Sequence, residues 1–167
     1  MKRCLGVIVA IGAIGQAAAA ELPKEGKADM TTCYTVTTND ITFSKTHTAA
    51  TYEIIGTNTS NPPGGIFDQT GFRCVGLNSI IDGRFSATTI CESVDKDGDK
   101  IMTRLIVGSA DGVGQDDTHV GETTVIAGTG KYEGMTRTGT MENYPIRSAK
   151  PRIIQRCGRG TYTYKLK

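Results

Sequence analysis

Hydrophobic and polar positions alternate along most of this chain with the two-residue period of β-strands, and no stretch after residue 20 shows a helical period. Residues 31–38 set Tyr34 and Val36 against Cys33, Thr35 and Thr37, and predict a strand. Asn39-Asp40 reads as a turn, residues 41–45 as a short strand, and residues 50–58 as a longer one with Tyr52 and Ile54 opposite Glu53 and Ile55. The run TSNPPGG at 59–65 is a loop, since paired prolines and glycines do not sit inside a ladder. Residues 121–141, GETTVIAGTGKYEGMTRTGTM, predict a strand through Thr124–Ala127 and a second strand over 136–140. Between them lies a corner at Gly128, Gly130 and Gly134, where glycine permits positive φ. A basic connection at 143–155, broken by Pro145 and Pro151, leads to a final strand at 157–166 with Tyr162 and Tyr164 on one face.

Two Asp-Gly dipeptides predict hairpin registers. A two-residue turn at Asp82-Gly83 places Ile80 opposite Phe85, Val75 opposite Ile90, Arg73 opposite Glu92 and Cys74 opposite Cys91. Apolar meets apolar, charge meets opposite charge, and the cysteines fall in a non-hydrogen-bonded pair, where Cα atoms approach most closely. A second turn at Asp97-Gly98 is expected to pair Val94 with Ile101, Glu92 with Thr103 and Ile90 with Leu105. Chaining the registers puts Val75, Leu77, Ile90, Val94, Ile101, Leu105 and Val107 on one face, the expected interior. About eight strands joined by short turns predict an all-β fold, a single antiparallel β-barrel whose first strand lies beside its last.

Composition adds a cellular address. Lys2 and Arg3, an apolar run over 5–14 and Ala18-Ala19-Ala20 read as a signal peptide cleaved before Glu21. That run is too short, and too broken by Gly12, Gly15 and Gln16, for a spanning helix, and no later stretch is long and apolar enough. The expected organisation is a signal peptide at 1–20, a flexible arm at 21–30 and a β-barrel domain at 31–167, periplasmic or secreted. Lys and Arg number 19 against 17 Asp and Glu; cleavage removes Lys2 and Arg3 and no acid, leaving 17 of each. A neutral mature chain argues against a nucleic-acid partner. Four cysteines then remain, an even number suited to an oxidising compartment. The first register selects Cys74–Cys91 and leaves Cys33–Cys157.

Candidate chemistry is sparse. Gly128-Thr129-Gly130-Lys131 lacks the earlier glycine and the following Ser or Thr of a phosphate loop, and Gly134 is one residue late for a dinucleotide fingerprint. Asp95, Asp97 and Asp99 form a weak calcium candidate, although the sixth and twelfth positions of an EF-hand loop hold Lys100 and Ile106. The two histidines, His47 and His119, show no metal-ligand spacing, and no G-x-S-x-G elbow is present. No cofactor is expected. The remaining constellation is Arg73, Glu92 and Thr103, read as sharing the aliphatic face and able to orient the polar end of an apolar ligand in the barrel. The alternative for that group is a cross-strand ion pair at the rim.

The run from Ala127 to Gly134, AGTGKYEG, followed by Gly139-Thr140, resembles the G-T-G-K/R-Y/F-x-G…G pattern of allene-oxide-cyclase-like barrels. Plant allene oxide cyclases, dirigent proteins and exported bacterial proteins share that kind of barrel. Residues 95–101, DKDGDKI, are similar to the D-x-D-G-D hairpin of the bacterial members. The resemblance covers roughly residues 71–141. It implies a fold and no reaction, since no catalytic residue of the plant cyclases maps onto this chain. The leading expectation is a non-catalytic barrel that binds a small apolar or amphipathic molecule in the cell envelope. A cyclase or isomerase acting on an apolar substrate is the runner-up, and an envelope interaction or structural protein is the third reading. Oligomeric state is not legible.

Overall fold

The computed structural model describes residues 22–108, 122–151 and 153–167. The proposed signal peptide therefore lies outside the described residues, as does His119. The described chain forms eight antiparallel strands: β1 (Glu25–Ser44), β2 (His47–Asn61), β3 (Thr70–Ile81), β4 (Arg84–Val94), β5 (Lys100–Gly108), β6 (Glu122–Gly128), β7 (Thr136–Ile146) and β8 (Ile154–Lys165). A single 3-10 turn, Gly130–Tyr132, sits between β6 and β7.

All eight strands belong to one sheet in the order β6-β5-β4-β3-β2-β1-β8-β7. The first strand lies beside the last, as expected. The sheet curls until its edges, β6 and β7, touch. No ladder joins those two among the described residues, so the barrel has a seam there. Pro145 stays inside β7 because that strand is an edge paired only with β8, where a missing N–H costs no ladder bond.

Both disulfides form as expected. Cys74–Cys91 and Cys33–Cys157 each bridge directly opposed residues, with Cα atoms 4.0 and 4.1 Å apart. The Asp82-Gly83 turn is also as expected: both residues have positive φ, +52° and +76°, and the ladder pairs Arg73 with Glu92 and Ile80 with Phe85.

Four sequence expectations are corrected. The expected flexible arm over 21–30 is overturned from Glu25 onward, because Glu25 to Met30 belong to β1, paired with β8. Polar Glu25, Lys27 and Asp29 point outward there, whereas Ala28 and Met30 enter the core. Asn39-Asp40 is no turn, since both residues stay in the β1–β2 ladder, opposite Thr51 and Ala50. The chain reverses instead between Ser44 and His47. The expected basic connection from residue 143 onward is shorter, with β7 running to Ile146.

The fourth correction matters most for function. The β4–β5 ladder pairs Ser93 with Ile101, Glu92 with Met102 and Cys91 with Thr103, one residue away from the expected register. The Asp97-Gly98 turn is not a two-residue turn but a five-residue loop. Asp95 N–H donates to Asp99 O (3.0 Å), and Gly98 N–H, at φ +87°, donates to Asp95 O (3.1 Å). The Asp95 carboxylate completes the loop by accepting the Asp97 and Asp99 N–H groups at 2.9 and 3.0 Å. Because side chains alternate, a one-residue slip exchanges the two faces. Val75 and Leu77 therefore face outward, 48% and 56% exposed. Ile101, Thr103 and Val107 are buried on the face that carries Cys74.

The interior face mixes large rings with glycines directly across from them. Phe72 lies over Gly56 and Tyr52 over Gly76. A β-carbon on Gly56 would come within 2.6 Å of Phe72 Cζ, so the glycines make the room the rings occupy.

Candidate functional site

One end of the barrel is closed. The loop between β2 and β3 folds Ile66 and Phe67 into it, where they pack with Tyr132, Met135, Tyr162, Tyr164, Met30 and Ile101. Phe67 stacks parallel to Tyr132, centroids 6.4 Å apart, and meets Tyr162 and Tyr164 edge-on at 6.1 and 6.2 Å. Tyr132, fully buried, donates its hydroxyl to Ile66 O at 2.7 Å. The loop itself is held by Asp68, whose carboxylate accepts the Ser60 and Gly64 N–H groups, each at 2.8 Å.

The glycine corner and the β4–β5 loop, separate motifs in the sequence, form one lock under this floor. Lys131 Nζ lies 2.6 Å from Asp95 Oδ2 and 3.0 Å from Asp97 Oδ2, and Lys131 N–H donates to Asp99 Oδ2 at 3.1 Å. Thr129 exchanges bonds with Lys100, accepting its N–H at 2.9 Å on Oγ1 and donating its own N–H to Lys100 O at 2.8 Å. Gly130 is required at its position twice over: its φ is +52°, and a β-carbon would strike the Asp99 carboxylate. The three carboxylates read as a weak calcium candidate thus have a lysine among them, and no group of metal-ligating side chains is found among the described residues. The only described histidine, His47, lies 3.2 Å from Asp82 across neighbouring hairpin tips.

The lock sets an acid dependence. Burial acts to raise the Asp95 carboxyl, but hydrogen bonds from Lys131 and the Asp97 N–H outweigh it and hold the group below the usual carboxylate range. Asp97 is lowered by Lys96 and Lys131, and Asp68 by the Gly64 and Ser60 N–H groups. Groups with depressed folded pKa values contribute stability that is complete above the unfolded value, about 4, and lost as pH falls through the lower folded values. The urea midpoint is expected to hold from pH 7 to about 5 and to drop below about pH 4, with Asp95→Asn flattening that drop. An acid limb unchanged in Asp95→Asn would remove Asp95 from this account.

Above the floor, the interior holds a cavity of about 530 Å³, lined by inward residues of all eight strands. It runs from Tyr162 and Arg137 at the closed end to Asp40 and Thr42, which are exposed at the other rim. Its walls carry Ile54, Phe72, Phe85 and Leu105 beside many threonines. Buried polar atoms are paired: Thr32 donates to Asn58 Oδ1 at 2.6 Å, and Asn58 Nδ2 to Thr70 Oγ1 at 2.8 Å. Tyr34 donates to Asn143 Oδ1 at 3.2 Å, and the Tyr52 and Thr89 hydroxyls share a hydrogen bond. Burial raises both phenols, Arg156 partly opposing it at Tyr34 and Thr89 at Tyr52, so both remain neutral well above physiological pH.

Arg137 is different. Its guanidinium lies over the Phe67 and Tyr162 rings, 5.1 and 4.7 Å from their centroids. Its Nε is shut off from solvent with no hydrogen-bond partner among the described residues, and no carboxylate among them forms an ion pair with it.

The residues selected from sequence separate in space. Arg73 points outward and donates from Nε to Glu53 Oε1, and Glu92, also outward, accepts from Lys100 Nζ at 3.3 Å. Thr103 alone faces the cavity, opposite Cys91. Arg73 and Glu92 were placed inside by the register error at the Asp95 loop. Arg137, Tyr34 and Tyr52 were missed as site residues. For Arg137 a signal existed: in TRTGTM it shares parity with Gly139 and Met141, an arginine on the side of the strand that carries no other charge.

Compared with protein-family models, with curated proteins and with solved structures, the chain matches none.

Proposed function

We propose that this chain is an exported barrel protein, periplasmic or secreted, that binds a small apolar or amphipathic molecule inside the barrel. The observation that carries the reading is the roughly 530 Å³ interior cavity, within the range of about 300–1,000 Å³ for small-molecule sites. Its aromatic and aliphatic wall residues, set among hydroxyls and the charged Asp40, Arg137 and Arg156, fit an amphipathic ligand of this kind. Two disulfides fit folding in an oxidising compartment, and the amino-terminal pattern fits a cleaved signal. Membership among allene-oxide-cyclase-like barrels is part of the proposal, resting on the corner and hairpin motifs. The cyclase or isomerase reading has less support: the cavity's tyrosines are held neutral, and its carboxylate, Asp40, stands at the solvent rim. An interaction role is favoured by one observation, the outward aliphatics Ile55, Val75, Leu77 and Ile106, all about half exposed.

The test is uptake of N-phenyl-1-naphthylamine, a neutral apolar fluorophore, by the mature protein. Ala50, which lines the cavity, offers a place to fill it. Saturable uptake is expected, and Ala50→Trp is expected to weaken it at least about tenfold while leaving circular dichroism unchanged. Absence of saturable uptake, or uptake indifferent to Ala50→Trp, overturns the reading.

A further inference from the structure

The cavity floor contains a charge with no counter-charge among the described residues. Arginine remains protonated at any physiological pH, and a guanidinium withdrawn from water normally carries a carboxylate or several carbonyl acceptors. Arg137 has aromatic faces instead, those of Phe67 and Tyr162. Aromatic faces attract a cation only above and below the ring and leave the N–H edges of the guanidinium unused. Its Nε edge is both buried and unpartnered among the described residues. Asp95, Asp97 and Asp99 bond to Lys131 and Asp68 to its own loop, and no carboxylate among the described residues forms an ion pair with Arg137. Burial pulls the Arg137 guanidinium below its ordinary pKa, with Tyr162 and Tyr132 acting the other way, which is the direction expected of an unneutralised buried cation.

Position gives this charge a use. Arg137 is on β7, an edge strand at the seam, with its side chain at the closed end of the cavity. Beyond it the walls carry Ile54, Phe72 and Leu105 among threonine and tyrosine hydroxyls, with Arg156 opposite Tyr34, and end at Asp40 and Thr42. A ligand matching this order has an anionic end and a single apolar body.

We propose that Arg137 is the anion-recognising residue of the cavity, and that the ligand is a monocarboxylate amphiphile bound with its carboxylate at the closed end and its hydrocarbon toward the rim. This rests on the lumen-binding reading above. A guanidinium presents paired N–H donors to a carboxylate, and burial away from water strengthens that contact. The same burial makes Arg137 a stability cost in the empty protein, one the ligand would remove.

Dodecanoate and dodecan-1-ol share a chain and differ in the head group, so displacement of N-phenyl-1-naphthylamine by each isolates the charge. Wild type is expected to bind dodecanoate about 10- to 100-fold more tightly than the alcohol, the range for a hydrogen bond to a charged group. Arg137→Met is expected to abolish that preference, keep dodecan-1-ol binding and raise the thermal midpoint of the ligand-free protein. Arg137→Lys is expected to retain part of the preference. If wild type takes up the fluorophore and the alcohol but shows no preference for the acid, this inference fails while the lumen reading stands. The wild-type comparison decides this even if Arg137→Met does not fold. A preference that survives in Arg137→Met, or a lowered thermal midpoint with unchanged dodecanoate affinity, assigns Arg137 a packing role and also overturns it. If neither compound nor the fluorophore binds, both readings fall.

Discussion

Replacing Cys33 and Cys157 together by alanine is expected to lower unfolding free energy by up to about 5 kcal/mol, the largest loss of any change considered for this fold. The bridge spans 124 residues of sequence, and in the chain-entropy model stabilisation grows with the logarithm of the closed loop. It also ties β1 to β8, the pairing that brings the two ends of the described chain together. Cys74–Cys91 spans only 17 residues within one hairpin that already has an Asp-Gly turn, and the same model assigns it about 3 kcal/mol. Urea unfolding of the two double-alanine variants should therefore rank Cys33/Cys157 as the more costly by roughly 1–2 kcal/mol. Equal losses, or the reverse order, would show that packing of the inward Cys74–Cys91 bridge outweighs loop entropy.

The second large effect belongs to the lock. The Asp95 side chain is 2% exposed and Lys131 Nζ is its nearest cation. Removing the cation leaves a carboxylate whose Oδ2 has no other hydrogen-bond partner in the described structure. Lys131→Met is expected to destabilise by about 2–4 kcal/mol, since breaking a buried pair from one side strands the remaining charge. Asp95→Asn in that background should restore part of the loss, because the amide keeps an acceptor for the Asp97 and Asp99 N–H groups without a charge. A double-mutant cycle from urea midpoints measures the coupling, expected at about 1–3 kcal/mol. Coupling near zero would mean that the corner is held by its backbone bonds at Thr129 and Lys100 alone. The same variant also tests the floor of the cavity, because residue 132 follows the lysine directly and Tyr132 carries the stack on Phe67.

These two effects also show where sequence reading worked and where it stopped. The Asp82-Gly83 hairpin was legible because every determinant was local: two adjacent residues able to take positive φ, flanked by strands whose cysteines, charges and aliphatics agree on one register. The Asp95 loop looked similar and was not. Its length depends on a side chain, Asp95, satisfying backbone amides within the loop and being neutralised by a lysine 36 residues further on. The turn dipeptide alone carries no record of that lysine. One residue of error there sent Arg73 and Glu92 to the inside and left Arg137 unnoticed.

The amino-acid sequence by itself determined that this chain forms antiparallel strands, that its cysteines pair 74 with 91 and 33 with 157, and that its first and last strands adjoin. Those outcomes follow from two-residue periodicity and from short-range turn chemistry, which act between near neighbours or across a single ladder. Only the tertiary structure decided which face is inward, how one end is closed by Phe67 and Tyr132, and that a guanidinium stands at that end over aromatic rings with no carboxylate partner among the described residues. The physical reason is that inward and outward differ only by parity, and parity is passed from strand to strand through loops whose geometry is set by contacts distant in the chain.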